Sequence, residues 1–179
     1  LAEQEFGRLL AVHRIDKDTS GIVIYARTAD AHRFLSIDFE RREVHKTYHA
    51  LVHGRPAWEE YTHKAKLLPD GDPRHRTVVN KRMGKESVTN FKLLGTVGPY
   101  SWIQADPVTG RTHQIRAHLA HIGHPIIGDG KYGINEINKE LGYKTQELYS
   151  YSLKFNFESN SGILEYLNQK EIKLKIEKI

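Results

Sequence analysis

Apolar and polar positions along the chain repeat in two rhythms, and the changes between them mark out its elements. Residues 13–21, His13-Arg14-Ile15-Asp16-Lys17-Asp18-Thr19-Ser20-Gly21, are polar and run directly into Ile22-Val23-Ile24-Tyr25. That transition predicts a polar loop feeding a buried strand, Gly21–Ala26. Asp30 to Arg42 carries Ala31, Phe34, Leu35 and Phe39 at helical spacing and predicts a helix. Lys46 to His53 alternates toward a strand, with Tyr48, Ala50 and Val52 on one face and Thr47, His49 and Leu51 on the other. Gly54 and Pro56 end it.

Ser87–Leu94 and Tyr100–Ala105 read as two more strands, joined across Gly95–Pro99. A turn at Pro107–Gly110 leads to a helix from Thr112 to Ile122, with Thr112 near its N-cap and Gly123 just past its end. Ile115, Leu119 and Ile122 form its buried stripe. Residues 135–142 suggest a short surface helix, and Leu148–Phe157 and Ile172–Ile176 read as strands. Strands outnumber helices and do not alternate with them. The predicted class is therefore α+β, with a mixed, mostly antiparallel sheet flanked by helices.

Composition narrows the picture. At 179 residues, 39% hydrophobic and 27% charged, the chain suits one globular domain spanning 1–179. No apolar run reaches membrane-spanning length. The absence of cysteine excludes disulfides, thiol catalysis and cysteine-ligated metals within this sequence, and it fits a reducing, cytoplasmic setting. Leu1 is not an initiator methionine, so the sequence reads as starting inside a longer chain. The net charge of +5 favours an anionic partner such as nucleic acid. The positives concentrate in residues 64–85, where Lys64, Lys66, Arg74, His75, Arg76, Lys81, Arg82 and Lys85 surround the turn Pro69-Asp70-Gly71-Asp72-Pro73. This region reads as a hairpin or exposed loop suited to RNA contact.

Asp16 stands out as an acid placed just before a buried-looking strand. Arg116 lies about 100° round the predicted helix from Ile115, at the edge of its buried face. An arginine there needs an acidic partner or reaches water. A paired guanidinium keeps a carboxylate ionised where water is excluded. Arg14 either pairs with the nearby acid or reaches into nucleic acid, and the residues alone leave both open. His113, His118, His121 and His124 lack a nearby acid pair or cysteine, which points to structural or RNA-facing histidines and no metal site.

The motifs resemble those of the RluA-type pseudouridine synthase family. His13–Gly21 is similar to the family's HR(L/I)DxxTSG motif, and Val44–Val52 to its KxYxALV strand. Gly84–Thr89 is similar to its GKxAxT segment, Gly110–His118 to its GRTHQ(I/L)RxH motif, and His124–Gly133 to its HPxxGDxxYG segment. The five matches occur in family order over residues 11–133. The resemblance implies that Asp16 is the catalytic carboxylate, that Tyr48 stacks on the target uracil and serves as a base, and that Arg116 pairs with Asp16. It implies that Arg14 enters the RNA helix in place of the extruded base, that Ile126 or Ile127 walls the uracil pocket, and that Arg111 and His113 help bind substrate.

The implied function is isomerisation of specific uridines to pseudouridine in structured RNA, ribosomal RNA foremost and transfer RNA second, by a monomer needing no cofactor or metal. A non-catalytic RNA-binding module of the same fold is the alternative, although such a module has no need of Asp16, Tyr48 and Arg116 together. A metal hydrolase built on the histidines lacks nearby acids. The chain departs from the family pattern in three places. A KPxG segment before the HRxD motif is absent, as is an upstream S4-type domain, and Leu148-Tyr149-Ser150-Tyr151 stands where the family commonly has LHA. The expected architecture is a pseudouridine synthase-like catalytic domain lacking its N-terminal part.

Overall fold

The computed structural model describes residues 2–158 and 161–175. In chain order the elements are α1 (Ala2–Phe6), β1 (Leu10–Ala11), β2 (Ser20–Gly21), β3 (Tyr25–Ala26), α2 (Ala29–Glu40), β4 (Val44–His53) and β5 (Glu60–Leu68). They continue with β6 (Val78–Val79), β7 (Lys85–Val97), β8 (Tyr100–Pro107), α3 (Gln114–His121), α4 (Asn135–Glu140), β9 (Leu148–Phe155) and β10 (Glu171–Lys173). A 3-10 turn at Gly162–Leu167 precedes β10. The class is α+β, and the chain divides into two compact units.

The first unit comprises Leu1–Ile15, Ser20–Lys46 and Ser150–Ile179. Its core gathers Ala26, Leu35, Val44, Leu153, Phe155, Phe157 and Leu164, with Ala31, Phe34 and Phe39 of α2 packed against them. The apolar stripe read from the sequence is thus the buried face of α2. The Thr28 side chain caps that helix by accepting the Ala31 N–H, and Arg42, at φ 63°, turns the chain out of it. The strand expected over Gly21–Ala26 is instead two short pieces, β2 and β3. The intervening amides bond elsewhere: Ile24 N–H donates to His13 Nε2, and Ile22 N–H to the Ser150 carbonyl. A side chain and a neighbouring strand satisfy these groups, so no single ladder runs through. The terminal strand is β10, with Ile172 opposite Leu153, and Ile176 of the predicted segment lies outside the described residues.

The second unit comprises Asp16–Thr19 and Thr47–Tyr149. Its strands pair antiparallel in the order β4-β8-β7-β5-β6. Tyr48, Ala50 and Val52 of β4 are buried, as their alternation predicts, and Tyr48 lies opposite Ala105 of β8. The basic region over 64–85 resolves into the end of β5, a loop, β6 and the start of β7. Asp72 organises the loop: its carboxylate accepts the Arg74 and Arg76 amides and pairs with Arg76 Nε at 2.6 Å. β7 reaches further than the sequence suggests, from Lys85 to Val97, with a bulge between Leu93 and Gly95.

The inward side of β5 and β7 holds His63, Ser87 and Thr89 beside Leu67 and Phe91. Helix α3 supplies matching groups. His118, with no exposed surface, hydrogen bonds Ser87 Oγ through Nε2 at 2.8 Å and Thr89 Oγ1 through Nδ1 at 2.9 Å. Ile115 and Leu119 of the predicted stripe are buried, while Ile122 is only partly so. The helix starts at Gln114, two residues later than expected, and Thr112 is not its cap. His113 occupies the N-cap position at φ 51° and makes no side-chain capping bond. The Gln114 side chain ties the turn instead. Its Oε1 accepts from Arg111 N–H and Thr109 Oγ1, and its Nε2 donates to Val88 O and Thr89 Oγ1. These bonds tie the turn that precedes the helix to β7. Among the described residues no helix is long and apolar enough to cross a membrane.

Burial, reinforced by the nearby His63 and His121, depresses the His118 pKa from 6.5 to about 3. In that interval the unfolded chain holds a proton that the folded chain does not, so stability falls as pH drops below 6.5. The contribution approaches about 1.4 kcal/mol per pH unit. Urea midpoints measured from pH 7 to pH 5 should fall for the wild type and fall less steeply for His118→Gln. Equal slopes would refute this account.

Candidate active site

The loop Asp16–Thr19 is held at both ends. Thr19 N–H donates to the Asp16 carbonyl at 3.0 Å, and the buried Thr19 hydroxyl accepts from Gln146 Nε2 at 2.6 Å. The turn therefore closes on the backbone of Asp16, and Asp18 stays exposed. The Asp16 side chain keeps about a quarter of its surface exposed (23%), while the Arg116 side chain beside it keeps 8%.

Arg116 is a buried residue of α3. Its Nε and Nη2 donate to the two carboxylate oxygens of Asp129, at 2.7 and 2.9 Å. Its Nη1 donates to Asp16 Oδ2 at 3.1 Å. The planar guanidinium thus spends one forked edge on Asp129 and turns its remaining nitrogen to Asp16. Burial acts to lower the Arg116 pKa, but the bonds and charges of Asp129 and then Asp16 outweigh it and hold the group above its ordinary value.

Asp129 is itself 1% exposed, and its Oδ1 also accepts the Lys131 and Tyr132 amides at 2.8 and 3.0 Å. Local backbone geometry holds it there. Gly128, at φ 77°, lies so close to the Thr145 carbonyl that a Cβ would collide with that oxygen. Asn138 of α4 accepts the Gly128 N–H at 2.7 Å and donates to the Asp129 carbonyl at 3.3 Å.

His113 and Tyr132 complete the surroundings. His113 Nε2 lies 4.0 Å from Asp16 Oδ2, and its Nδ1 is 3.0 Å from the Tyr132 hydroxyl. The Arg116 guanidinium sits 5.0 Å above the Tyr132 ring. Burial lowers the His113 pKa; Asp16 opposes that effect, while Arg116 and Lys131 add to it. Burial also raises the Tyr132 pKa.

Of the residues singled out in the sequence, Asp16, Arg116 and His113 therefore meet. Tyr48 is buried on β4. Ile126 and Ile127 are buried to 1% and 2%, with Ile126 bridged to Val52 and Ile127 N–H bonded to the Leu51 carbonyl. Arg111 is exposed and donates through Nε to the Glu86 carbonyl at 3.1 Å. Arg14 is exposed and belongs to the first unit. Sequence reasoning passed over Asp129, Tyr132 and Gln114. The available signal for Asp129 was an acid directly after the apolar run Ile126-Ile127-Gly128. An arginine of the buried helix face calls for more than one acceptor, and this acid supplies the second.

Chemically, the arrangement presents one partly exposed carboxylate, aimed by a buried cation whose own position is fixed by a second carboxylate. Such a group can act as a nucleophile or a base.

The chain is similar to known proteins in sequence and fold. The family model for RNA pseudouridylate synthase matches residues 2–121. Ribosomal large subunit pseudouridine synthase C of Vibrio parahaemolyticus is 39% identical over 172 residues, covering 92% of this chain and 52% of that protein. Ribosomal large subunit pseudouridine synthase D of Borreliella burgdorferi is 37% identical over 152 residues, covering 84% of this chain and 45% of that protein. The chain thus spans about half the length of these curated relatives. The solved structure of Human RNA Pseudouridylate Synthase Domain Containing 1 superposes with a TM-score of 0.77 at 26% identity, covering 88% of this chain and 68% of that one. With the family model matched over most of the chain and relatives of this likeness, the chain belongs to the RNA pseudouridylate synthase family, in its RluA-type branch.

Proposed function

We propose that the protein converts uridine to pseudouridine in structured RNA, with ribosomal RNA as its substrate and Asp16 as the reacting carboxylate. The observation that carries this reading is the Asp16–Arg116–Asp129 arrangement, in a chain of this family. The names of its relatives support ribosomal RNA over transfer RNA.

The reaction breaks the bond from uracil N1 to ribose C1′, turns the base, and joins C1′ to C5. The proton leaving C5 is matched by one gained at N1, so no net oxidation occurs. Asp16 serves by attacking C1′, by attacking uracil C6, or as a base on the sugar. Each route needs an ionised carboxylate at short range, and Arg116 Nη1 donates to Asp16 at 3.1 Å. The base must first leave its stack, at a cost of a few kcal/mol. Tyr48 offsets part of it by stacking on the uracil, and Arg14 by filling the vacated space. The positive residues around Arg74, Arg76 and Arg111 attract the phosphates, so binding weakens with salt.

The test is release of tritium from RNA labelled at uracil C5. The wild-type chain should release it from transcribed ribosomal RNA, and Asp16→Asn should lose about a thousandfold or more in kcat while RNA binding is retained. Activity in that variant would remove Asp16 from the chemistry. Wild-type binding without release would make the chain a binder, and release from transfer RNA alone would reassign the substrate. Arg14→Ala should slow the reaction on folded RNA more than on an unpaired oligonucleotide. Equal losses on the two substrates would deny it the displacing role.

A further inference from the structure

His113 is placed where the family reading gives it only a share in substrate binding, but its neighbours fix it more tightly than that. Three links run in a line. Thr77 N–H donates to the Tyr132 hydroxyl oxygen at 2.7 Å. The Tyr132 hydroxyl bonds His113 Nδ1 at 3.0 Å. His113 Nε2 then faces Asp16 Oδ2 at 4.0 Å. The two rings meet edge to face, at 85° with centroids 5.8 Å apart, so the phenol oxygen approaches the imidazole from the side.

The proton positions follow from counting donors. Tyr132 has one hydroxyl hydrogen, and the Thr77 amide already occupies its oxygen as acceptor. Giving the hydroxyl hydrogen to His113 Nδ1 satisfies both groups and leaves the imidazole proton on Nε2. The opposite assignment turns the hydroxyl hydrogen away from the imidazole, toward the buried Thr77 hydroxyl. It also turns the bare Nε2 lone pair toward the Asp16 carboxylate, which is electrostatically unfavourable. The charged and titratable groups acting on this imidazole are Asp16, Arg116, Lys131, Asp129 and Tyr132, and burial favours its neutral form, the form for which a tautomer is defined.

We propose that Tyr132 locks His113 as the Nε2–H tautomer, so that a neutral N–H dipole faces the Asp16 carboxylate beside Arg116. His113 is a positioning residue in this scheme and acts through Asp16; that role rests on the catalytic reading of Asp16. Both face the same oxygen, Oδ2: Arg116 Nη1 bonds it at 3.1 Å and His113 Nε2 lies 4.0 Å from it, so the imidazole adds a neutral dipole beside that oxygen and no second full charge that would blunt its reactivity. The left-handed backbone of His113, at φ 51°, brings the imidazole to this place. A non-glycine residue in that conformation carries strain, which fits a position set by the site and not by the helix.

The lock has a remote anchor. Thr77 ends the loop that Asp72 organises, and that loop rests on the segment carrying Tyr132. Lys131 Nζ donates to the His75 carbonyl at 3.2 Å, and Arg74 and Arg76 reach the Gly130 and Lys131 carbonyls at 3.4 Å. Thr77 is 2% exposed, so its amide has no ready water to replace the phenol. The position of the arginine-bearing loop therefore governs the tautomer of His113. RNA that engages the loop acts on the catalytic carboxylate at a distance.

The experiment is two-part. Long-range imidazole 1H–15N correlation spectra of the wild-type chain near neutral pH should show His113 protonated at Nε2 and bare at Nδ1. Tyr132→Phe should convert it to a mixture of tautomers, and Asp72→Ala, which frees the loop without touching the site, should do the same to a smaller extent. In tritium release, Tyr132→Phe should lower kcat about tenfold with KM nearly unchanged, because the change acts after RNA is bound. A wild-type His113 protonated at Nδ1, or a Tyr132→Phe spectrum identical to wild type, overturns the lock. A shifted tautomer with wild-type kcat in Tyr132→Phe overturns the positioning role. A wild-type chain that releases no tritium refutes the catalytic reading, and with it the positioning role. The spectra decide the lock either way.

Discussion

A single guanidinium shared between two carboxylates is the constraint on which the second unit depends. Arg116 is buried, and a buried charge lacking its partner costs about 3–5 kcal/mol. Asp129 removes most of that penalty with a two-pronged bond, so the remaining nitrogen can face a carboxylate that is only partly enclosed. Were Asp129 absent, the fork would be free to close on Asp16 and bind both of its oxygens. The division of labour leaves the first carboxylate bonded to the guanidinium through one oxygen and partly exposed.

Much of the surrounding chain serves to keep the second carboxylate in place. The backbone of Gly128 is pressed against the Thr145 carbonyl, Asn138 clamps the peptides on either side, and two amides of the following turn close on Asp129 Oδ1. On the other side of Arg116, the helix that carries it is anchored by hydrogen bonds in its buried face, from His118 and Gln114 to Ser87 and Thr89. Apolar contact alone is indifferent to small rotations of a helix, whereas paired polar groups fix both its rotation and its height on the sheet. Arg116 lies between these two anchors on the same helix.

The sequence made the elements legible where apolar positions share one face, even though Leu51 on the opposite face of β4 is buried too. The face of β4 with Tyr48, Ala50 and Val52 and the stripe of α2 were readable because one periodicity governs each. The region around Asp16 and Arg116 was legible through ordered motifs, since composition alone gave only an acid in a loop and an arginine near a helix edge. Three features were not legible. The break between β2 and β3 depends on His13 accepting a backbone amide from Ile24, eleven residues away. The turn that delays α3 to Gln114 is tied by that residue's side chain, which bonds Thr109, and Val88 of β7. Asp129 gained its meaning from distance in space, thirteen residues beyond Arg116 and past the end of the helix. Local propensity carries no information about such partners.

The shared guanidinium also fixes a charge count. Asp16 and Asp129 together formally carry two negative charges and Arg116 one positive, so the cluster is left with a net charge of minus one. Further basic residues, Arg74, Arg76 and Arg111, lie in or beside exposed turns. For a polyanion this makes a sorting device. Its phosphates are drawn to the rim and turned away from the centre, while an uncharged ring pays no such repulsion to enter. In the proposed reaction the same pair of carboxylates would favour the uncharged base over the phosphate at Asp16.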